Sequence, residues 1–250
     1  MEGTALRRRL IWRLATLVDA IHETRDVRSL VFEVGDWSGH LPGQHVDVRL
    51  TAEDGYQAQR SYSIASAPAD MSLQLTVESL RDGEVSPYLV DELSPGDQLE
   101  LRGPVGGYFV WDGRSPSPLL LVAGGSGVVP LMSMLRHRAV SGRRVPARLL
   151  YSSHGPDDII YRDELERMAA ADPDLKVLHV LTRRQPPGWT GYARRIDGAM
   201  LAEVAWPPES EAEIFVCGPT ALVEVVASGL RDLGHAPERI RTERFGPTGR

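Results

Sequence analysis

The segment that most constrains this chain is a short apolar run ending in glycines. Residues 119–123 are continuously apolar, which predicts a buried strand, and Gly124, Gly125 and Gly127 follow at once. Apolar residues then recur at helical spacing over residues 131–140. The glycines therefore lie at the N-terminus of a helix, where free N–H groups and positive potential favour a phosphate group.

This loop has two interpretations. Its Gly-Ser-Gly-Val-Val-Pro segment follows the dinucleotide-binding pattern, except that Pro130 stands where a third glycine is expected. Proline is acceptable in a first helical turn, because no internal hydrogen bond is lost there. Taken alone, the loop is either a phosphate-binding turn or a tight connection between strand and helix.

The second half of the chain alternates strands and helices. Strands are predicted at residues 119–123, 147–151, 176–181, 213–217 and 240–243, and helices at 131–140, 162–171, 198–204 and 221–233. Such alternation predicts right-handed crossovers and a parallel sheet covered on both faces.

The first half has a different rhythm. Alternating apolar segments predict strands at residues 15–22, 27–34, 44–50, 61–65, 73–79 and 97–102, with a helix at 85–93. Six short strands with frequent turns favour a small antiparallel barrel. A Gly-, Ser- and Pro-rich stretch at 112–118 marks the change. We therefore expect a six-stranded antiparallel β-barrel domain at residues 1–114 and an α/β domain with a parallel sheet at 115–250.

Composition excludes several classes of protein. A net charge of −6 argues against a nucleic-acid-binding protein, which normally carries a basic face. Cys217 is the single cysteine, so neither a disulfide framework nor a zinc or iron–sulfur site built on several cysteines is expected. The seven histidines lack ligand spacing, and no metal site is predicted. A reducing, cytoplasmic location fits this pattern.

No membrane association is expected. No segment approaches the roughly 20 apolar residues of a membrane span. Three arginines at residues 7–9 precede an apolar stretch, as in a twin-arginine export signal. Arg13 and Asp19 interrupt that stretch, so a solvated N-terminal arm is the prediction.

Two segments of the first half carry candidate chemistry. In Arg60-Ser61-Tyr62-Ser63, the period of two places Arg60 and Tyr62 on one face of a strand and the serines on the other. One face then offers a guanidinium to a phosphate and an aromatic ring to a planar ligand, unless the segment is an ordinary strand. Residues 81–86 are either a second anion site or a capped helix start.

A third candidate lies in the second half. Cys217, Gly218 and Pro219 follow an apolar strand and precede a helix. This places them at the carboxyl edge of the parallel sheet, where open α/β folds bind ligands. A buried structural cysteine is the alternative.

Together the four segments, in this order, resemble the ferredoxin–NADP reductase superfamily, and specifically the FAD- and nicotinamide-binding module of oxygenase reductases. Its members show an R-x-Y-[ST] flavin motif, a glycine-rich segment ending in serine, a G-G-x-G-x-x-P loop and a C-G-P segment. All four occur here, and the resemblance extends from about Trp12 to Gly246.

For the flavin, the resemblance implies that Arg60 contacts the FAD pyrophosphate, that Tyr62 packs on the isoalloxazine, and that Ser63 hydrogen-bonds near its N5. Further residues of the implied flavin site are Ser61, Ile64, Gly83, Val85 and Ser86. The segment with Glu243 and Phe245 is similar to one that closes over the flavin. Plant-type members end in tyrosine there, whereas this chain continues to Arg250.

For the nicotinamide nucleotide, the resemblance implies a pyrophosphate turn and a border to the nicotinamide ring. The turn comprises Gly124, Gly125, Gly127 and Pro130, and the border comprises Cys217, Gly218 and Pro219. Ser63, Cys217 and Glu243 are then candidates for orienting the reacting rings. Hydride transfer itself needs no general acid–base pair.

The choice between NADH and NADPH depends on the segment after residue 151, where the family reads the adenosine ribose. Ser152 and His154 stand there without an acidic residue, and His154 occupies a position where many relatives have arginine. An acidic residue would favour NADH and arginine NADPH. Arg162, Arg183 and Arg184 either supply positive charge or are solvated surface residues; the pattern slightly favours NADPH.

The resemblance implies an FAD-dependent NAD(P)H oxidoreductase that takes a hydride onto flavin N5. Because these residues lack the cysteines of a ferredoxin domain, we expect a separate acceptor: a ferredoxin, flavodoxin, haem protein, oxygenase component or free flavin. One alternative is a flavin-containing electron-transfer subunit that acts only within a larger complex. Another is a flavin-free regulatory module, against which Arg60, Tyr62 and Ser63 argue.

Overall fold

Residues 10–142 and 144–245 are described by a computed structural model. The N-terminal part has six strands: β1 (Trp12–His22), β2 (Val27–Val34), β3 (His45–Thr51), β4 (Gln57–Ser63), β5 (Leu73–Glu78) and β6 (Gln98–Val105). The solvated arm predicted at residues 7–9 lies outside the described residues.

These strands form one antiparallel sheet in the order β4-β3-β6-β1-β2-β5. A bridge between Ile64 and Leu75 brings the two edges together, so the sheet closes into a barrel. Alternate residues of each strand point inward; on β5 these are Leu73, Leu75 and Val77, all buried in the barrel core. The predicted six-stranded antiparallel barrel is confirmed.

Two predicted elements of the barrel half differ from the structure. The helix predicted at 85–93 is a shorter segment that is π-helical over Tyr88–Glu92, where the Leu93 N–H donates to Tyr88 O, five residues back, at 3.0 Å. The strand predicted at 61–65 is observed as β4, Gln57–Ser63, which begins and ends earlier in the chain than predicted. Its end comes at Ser63 because Ala65 already donates its N–H to Gln74 O, at 2.8 Å, on the other edge of the sheet.

The C-terminal part alternates strands and helices as predicted. It comprises β7 (Leu119–Gly124), α1 (Val128–Val140), β8 (Ala147–Ser153), α2 (Arg162–Ala171), β9 (Leu175–Leu181), α3 (Gly198–Val204), β10 (Glu213–Pro219), α4 (Thr220–Asp232) and β11 (Ile240–Phe245). All neighbouring strands are parallel, in the order β11-β10-β7-β8-β9.

The strand order reverses between β7 and β10. Helices α1 and α2 contribute to the core on one face of the sheet, and α3 and α4 to the core on the other. The loops after β7 and β10 therefore leave the sheet toward opposite faces. A crevice opens between them at the carboxyl ends of the strands, the usual place for ligands in open α/β folds.

The two halves share a core. Ala65, Phe109 and Trp111 from the barrel side lie in the same buried cluster as Leu131 and Met134 of α1. No helix within residues 10–142 and 144–245 has the length and apolar character needed to cross a membrane.

Candidate active site

On β4, the predicted alternation of faces is present. Ser61 pairs with Asp47 across the sheet and donates a hydrogen bond from its hydroxyl to Asp47 Oδ1, at 2.7 Å. Tyr62 instead packs against the barrel core. Burial raises the pKa of Tyr62 to about 12, so the phenol keeps its proton at neutral pH.

Arg60 and the loop at residues 81–86 lie together. The Arg60 guanidinium, 54% exposed, forms an ion pair with Glu84 through Nη2 and Oε2, at 3.2 Å. Tyr56 donates its hydroxyl to the other Glu84 oxygen, at 2.9 Å. The structure thus joins two segments that the sequence singled out separately. It also shows a carboxylate where the resemblance expects a pyrophosphate.

The 81–86 loop is a tight turn. The Gly83 N–H donates to Leu80 O at 2.7 Å, and a Cβ on Gly83 would lie 3.0 Å from both that oxygen and Ser86 Oγ. Ser86 Oγ accepts the Leu80 N–H at 3.1 Å, which leaves its own proton to donate to an anion. Val85 is fully buried. The following helical segment has no side-chain cap, which disfavours the capped-helix interpretation.

The glycines after β7 form a 3₁₀ turn, Gly125–Gly127, that leads directly into α1. Gly125 has φ of +55°, a conformation that favours glycine. A Cβ on Gly127 would lie 2.2 Å from Cys217 O, so only glycine allows the two backbones to meet. Pro130 is buried in the first turn of α1, as predicted.

The loop after β10 approaches the same point from the other side. A Cβ on Gly218 would lie 3.1 Å from the Gly124 N atom. Pro219 ends β10 with an exposed side chain, opposite Phe245 on β11, which packs against the core. The nucleotide-loop glycines and the Cys-Gly-Pro segment therefore border one crevice at the reversal of strand order.

Cys217 and Glu243 face each other across β10 and β11. Burial, and secondarily the Glu243 charge, raise the pKa of the Cys217 thiol well above its usual value. Burial also raises the pKa of Glu243, whose Oε2 is buried without a hydrogen-bond partner. Buried polar atoms are normally paired, so this oxygen is available for a hydrogen bond to a ligand.

At the end of β8, the predicted ribose segment contacts a second loop. His154 O accepts the N–H groups of Arg183 and Arg184, each at 2.9 Å. Arg184 pairs with Asp157 at 3.3 Å and Asp158 at 3.1 Å. Sequence reasoning overlooked these two aspartates, which offset part of the charge assigned to this edge. The side chains of His154 and Arg183 are exposed, and Ser152 is half-buried.

Sequence reasoning also missed the contacts between the two halves. Ser126 in the nucleotide loop donates its hydroxyl to Glu78 Oε2 on β5, at 2.7 Å. The two residues are 48 positions apart, and neither belongs to a motif that fixes its partner.

Family models match most of the chain. The oxidoreductase FAD-binding domain matches residues 14–110, and the oxidoreductase NAD-binding domain matches residues 121–228. Ferredoxin–NADP reductase B of Sorangium cellulosum is 36% identical over 226 residues, covering 88% of this chain and 91% of that protein. This chain belongs to the ferredoxin–NADP reductase family. The domain boundary predicted at residues 114 and 115 falls between the two matched ranges and stays a prediction.

Two further proteins are similar to this chain in sequence or in fold. The glycine betaine monooxygenase reductase subunit of Chromohalobacter salexigens is 37% identical over 236 residues, 92% of this chain. The chain covers 63% of that subunit, less than two thirds of its length. The flavohaemoglobin-like FAD/NAD-binding domain of nitric oxide dioxygenase from Vibrio cholerae has the same fold, with a TM-score of 0.83 at 24% identity over 94% of this chain and 99% of that one.

The site suits the two groups that these domains bind. Arg60 and the Gly83 turn offer charge and close backbone approach to a flavin diphosphate. The glycine turn before α1 offers the same to a nicotinamide nucleotide. The unpaired Glu243 oxygen can form a hydrogen bond with a polar group of a ligand. No group of three or more metal-binding side chains occurs in the described ranges.

Proposed function

We propose that this chain is an FAD-dependent NAD(P)H oxidoreductase that delivers electrons to a separate protein acceptor. The observation that carries the proposal is the convergence at one crevice. The loops after β7 and β10 meet there backbone to backbone, and the unpaired Glu243 oxygen lies on the neighbouring strand.

The barrel residues would hold the flavin. Arg60 places a guanidinium against the diphosphate, and Ser86 donates its hydroxyl proton beside the Gly83 turn. Tyr62 supplies an aromatic face backed by the barrel core, and Ser63 follows at the end of β4. Bound FAD supplies the ability to accept a hydride from a reduced nicotinamide and to release electrons singly.

The α/β residues would hold the nucleotide. Gly124, Gly125 and Gly127 bring backbone N–H groups and the positive end of the 13-residue α1 to the pyrophosphate. Buried, protonated Cys217 gives the crevice an apolar wall that excludes water. Glu243, with its raised pKa, holds a proton more readily than an exposed glutamate and orients the ligand through Oε2.

The acceptor is proposed to be a ferredoxin or an oxygenase component in the cytoplasm. Several relatives carry names of oxygenase reductase components, including the glycine betaine monooxygenase subunit. The single cysteine of the 250 residues cannot hold a four-cysteine cluster, so the acceptor centre lies outside them. The free thiol of Cys217 is in keeping with a reducing compartment.

The test is a visible spectrum of the purified protein, followed by anaerobic addition of NADH and of NADPH in separate samples. Flavin absorption that bleaches on addition supports the proposal, and the ratio of the two rates gives the nucleotide preference. A protein that binds FAD but is reduced by neither nucleotide contradicts the oxidoreductase activity. A protein that binds no FAD contradicts the flavin site itself.

A further inference from the structure

The outer face of β5 is a contact surface between the two domains. Inward residues of this strand fill the barrel core, while Gln74, Thr76 and Glu78 alternate with them on the opposite side. All three outward residues accept a hydrogen bond from the α/β domain. We call this row the β5 seam, and its three donors are Arg136 Nη1 to Gln74 Oε1 at 2.8 Å, Tyr161 OH to Thr76 Oγ1 at 2.5 Å, and Ser126 Oγ to Glu78 Oε2 at 2.7 Å.

The central contact belongs to a closed ring of hydrogen bonds. The Tyr161 hydroxyl donates to Thr76, and the Thr76 and Ser29 hydroxyls lie 2.8 Å apart. Ser29 donates to Glu23 Oε1 at 2.6 Å, and Glu23 Oε2 accepts the Tyr161 backbone N–H at 3.2 Å. Thr76 must then donate to Ser29, so the Thr76 and Ser29 hydroxyls each donate once and accept once, and the Tyr161 hydroxyl donates.

Tyr161 is held firmly in this ring. Its side chain is 2% exposed, and its backbone adopts the left-handed conformation with φ of 59° and ψ of 29°. A non-glycine residue keeps that conformation only where surrounding contacts determine it. Burial raises the pKa of the Tyr161 phenol, so the hydroxyl remains a donor throughout the neutral range. The Arg136 guanidinium lies over its ring at 5.1 Å.

The position of Tyr161 links the seam to the nucleotide crevice. It directly precedes α2 and ends the loop that begins after β8 at the predicted ribose segment. On the barrel side, Thr76 lies two residues from Glu78, which contacts Ser126 of the nucleotide loop. One strand of the flavin-binding domain therefore contacts the α/β domain at both the ribose side and the pyrophosphate side.

We propose that Tyr161 is a positioning residue: its hydrogen bond to Thr76 sets the nucleotide-binding domain against the flavin-binding barrel, and the rate of flavin reduction depends on it. The inference rests on the proposed function. Transfer between two bound rings needs near-contact geometry, and a displacement of about 1 Å can cost roughly 100-fold in rate. The β5 seam maintains such geometry together with the core that the two domains share.

The experiment compares Tyr161→Phe, Thr76→Val and the double variant with wild type. Each single change removes one hydroxyl and little volume. The expected result is a fall of roughly tenfold in the rate of reduction per bound flavin, with the KM for the nucleotide and the flavin content unchanged. Both changes break the Tyr161–Thr76 bond, and Thr76→Val also removes the bond to Ser29, so the double variant is expected to be no slower than Thr76→Val alone.

Two controls separate positioning from general damage. Tyr192→Phe removes another tyrosine hydroxyl of the α/β domain, one that bonds to exposed Glu203 at 2.8 Å, and should leave the rate unchanged. Thr76→Ser keeps the hydroxyl in the seam and should restore the wild-type rate. Equal losses in Thr76→Ser and Thr76→Val would overturn the inference.

The outcomes also separate this inference from the proposed function. If wild type binds FAD and neither nucleotide reduces it, the proposed function fails. If wild type is reduced normally and Tyr161→Phe keeps the same rate per bound flavin, only the positioning role fails. A Tyr161→Phe protein that merely loses flavin or thermal stability, with normal rates for the fraction that remains loaded, likewise overturns positioning.

Discussion

Arg60 is the residue whose environment most directly predicts a ligand. Its half-exposed guanidinium is positioned by β4 and opposed by one carboxylate. Arg60→Ala should weaken flavin binding by about 10- to 100-fold, because a hydrogen bond to a charged group contributes roughly 1.5–3 kcal/mol. The measurement is a titration of flavin-free protein with FAD. Arg25→Ala, an exposed arginine of the same domain, should bind as wild type does; equal affinity in Arg60→Ala would remove this residue from the site.

Glu84 predicts a change in the opposite direction. Its carboxylate forms an ion pair with Arg60 and would repel a diphosphate at the same position. Glu84→Gln should therefore tighten FAD binding, by up to about fivefold, since an exposed ion pair contributes at most about 1 kcal/mol. The same titration measures it, with a smaller effect at high salt. Weaker binding in Glu84→Gln would show that this carboxylate supports the flavin site.

Glu243 gives a prediction with pH. Burial raises the pKa of this carboxyl in the folded chain, so as pH rises the unfolded chain releases its proton first. Between these two pKa values the folded state binds more protons than the unfolded state. The free energy of unfolding therefore falls as the pH rises from the usual glutamate pKa through the raised one. Glu243→Gln removes this loss, so its advantage in Tm over wild type should grow with pH from about 4.5 to neutral. Exposed Glu238→Gln is the control; an advantage that shrinks with pH would contradict the burial effect.

At the scale of elements, the meeting of the loops after β7 and β10 depends on Gly127. A Cβ there would lie 2.2 Å from Cys217 O, so one loop must move. Gly127→Ala should cost about 1–3 kcal/mol of unfolding free energy, as overpacking typically does, and weaken nucleotide binding. Gly198→Ala at the start of α3 meets no atom within 4 Å and should be neutral. Denaturant unfolding and nucleotide titration measure both; wild-type behaviour of Gly127→Ala would contradict the contact.

Sequence patterns located most of these elements because each pattern is local. The predicted bounds of β2 and α3 are those observed, and β9 begins one residue earlier than predicted. The helix predicted at 85–93 is present but shorter, and π-helical over Tyr88–Glu92, because the apolar spacing there reflects the packing of Leu89 and Leu93 on the barrel. Apolar periodicity indicates which side chains are buried, but it does not determine the backbone conformation of a short segment.

The site was predictable to the extent that motifs carry it. Motifs brought attention to Arg60, Cys217 and the glycine loop, whereas the Glu84 carboxylate, the β5 seam and the aspartates beside Arg184 were missed. Those contacts join residues from 24 to 85 positions apart. Their partners are chosen by strand order and domain packing, which a single sequence does not contain.

For the molecule as a whole, the shared core predicts joint unfolding of the two domains. Phe109 lies edge-on to Phe215, with ring centroids 5.3 Å apart, and Trp111 Nε1 donates to Glu213 at 3.1 Å. Ser133 of α1 bonds to Ser66 O in a buried position, at 2.7 Å. Calorimetry should therefore give one transition with matching calorimetric and van't Hoff enthalpies. Two resolved transitions would contradict this coupling.

The single cysteine makes local opening of this protein measurable by alkylation. Cys217 is 2% exposed, and its thiol keeps its proton, so an alkylating reagent reacts only from conformations in which β10 and its loop separate from their neighbours. The rate of alkylation in native buffer then measures how often the crevice opens. Since the 250 residues hold no second thiol, each event leaves one mass increment at one known position. Opening of the crevice is therefore detectable by mass spectrometry of the natural chain, without an introduced label.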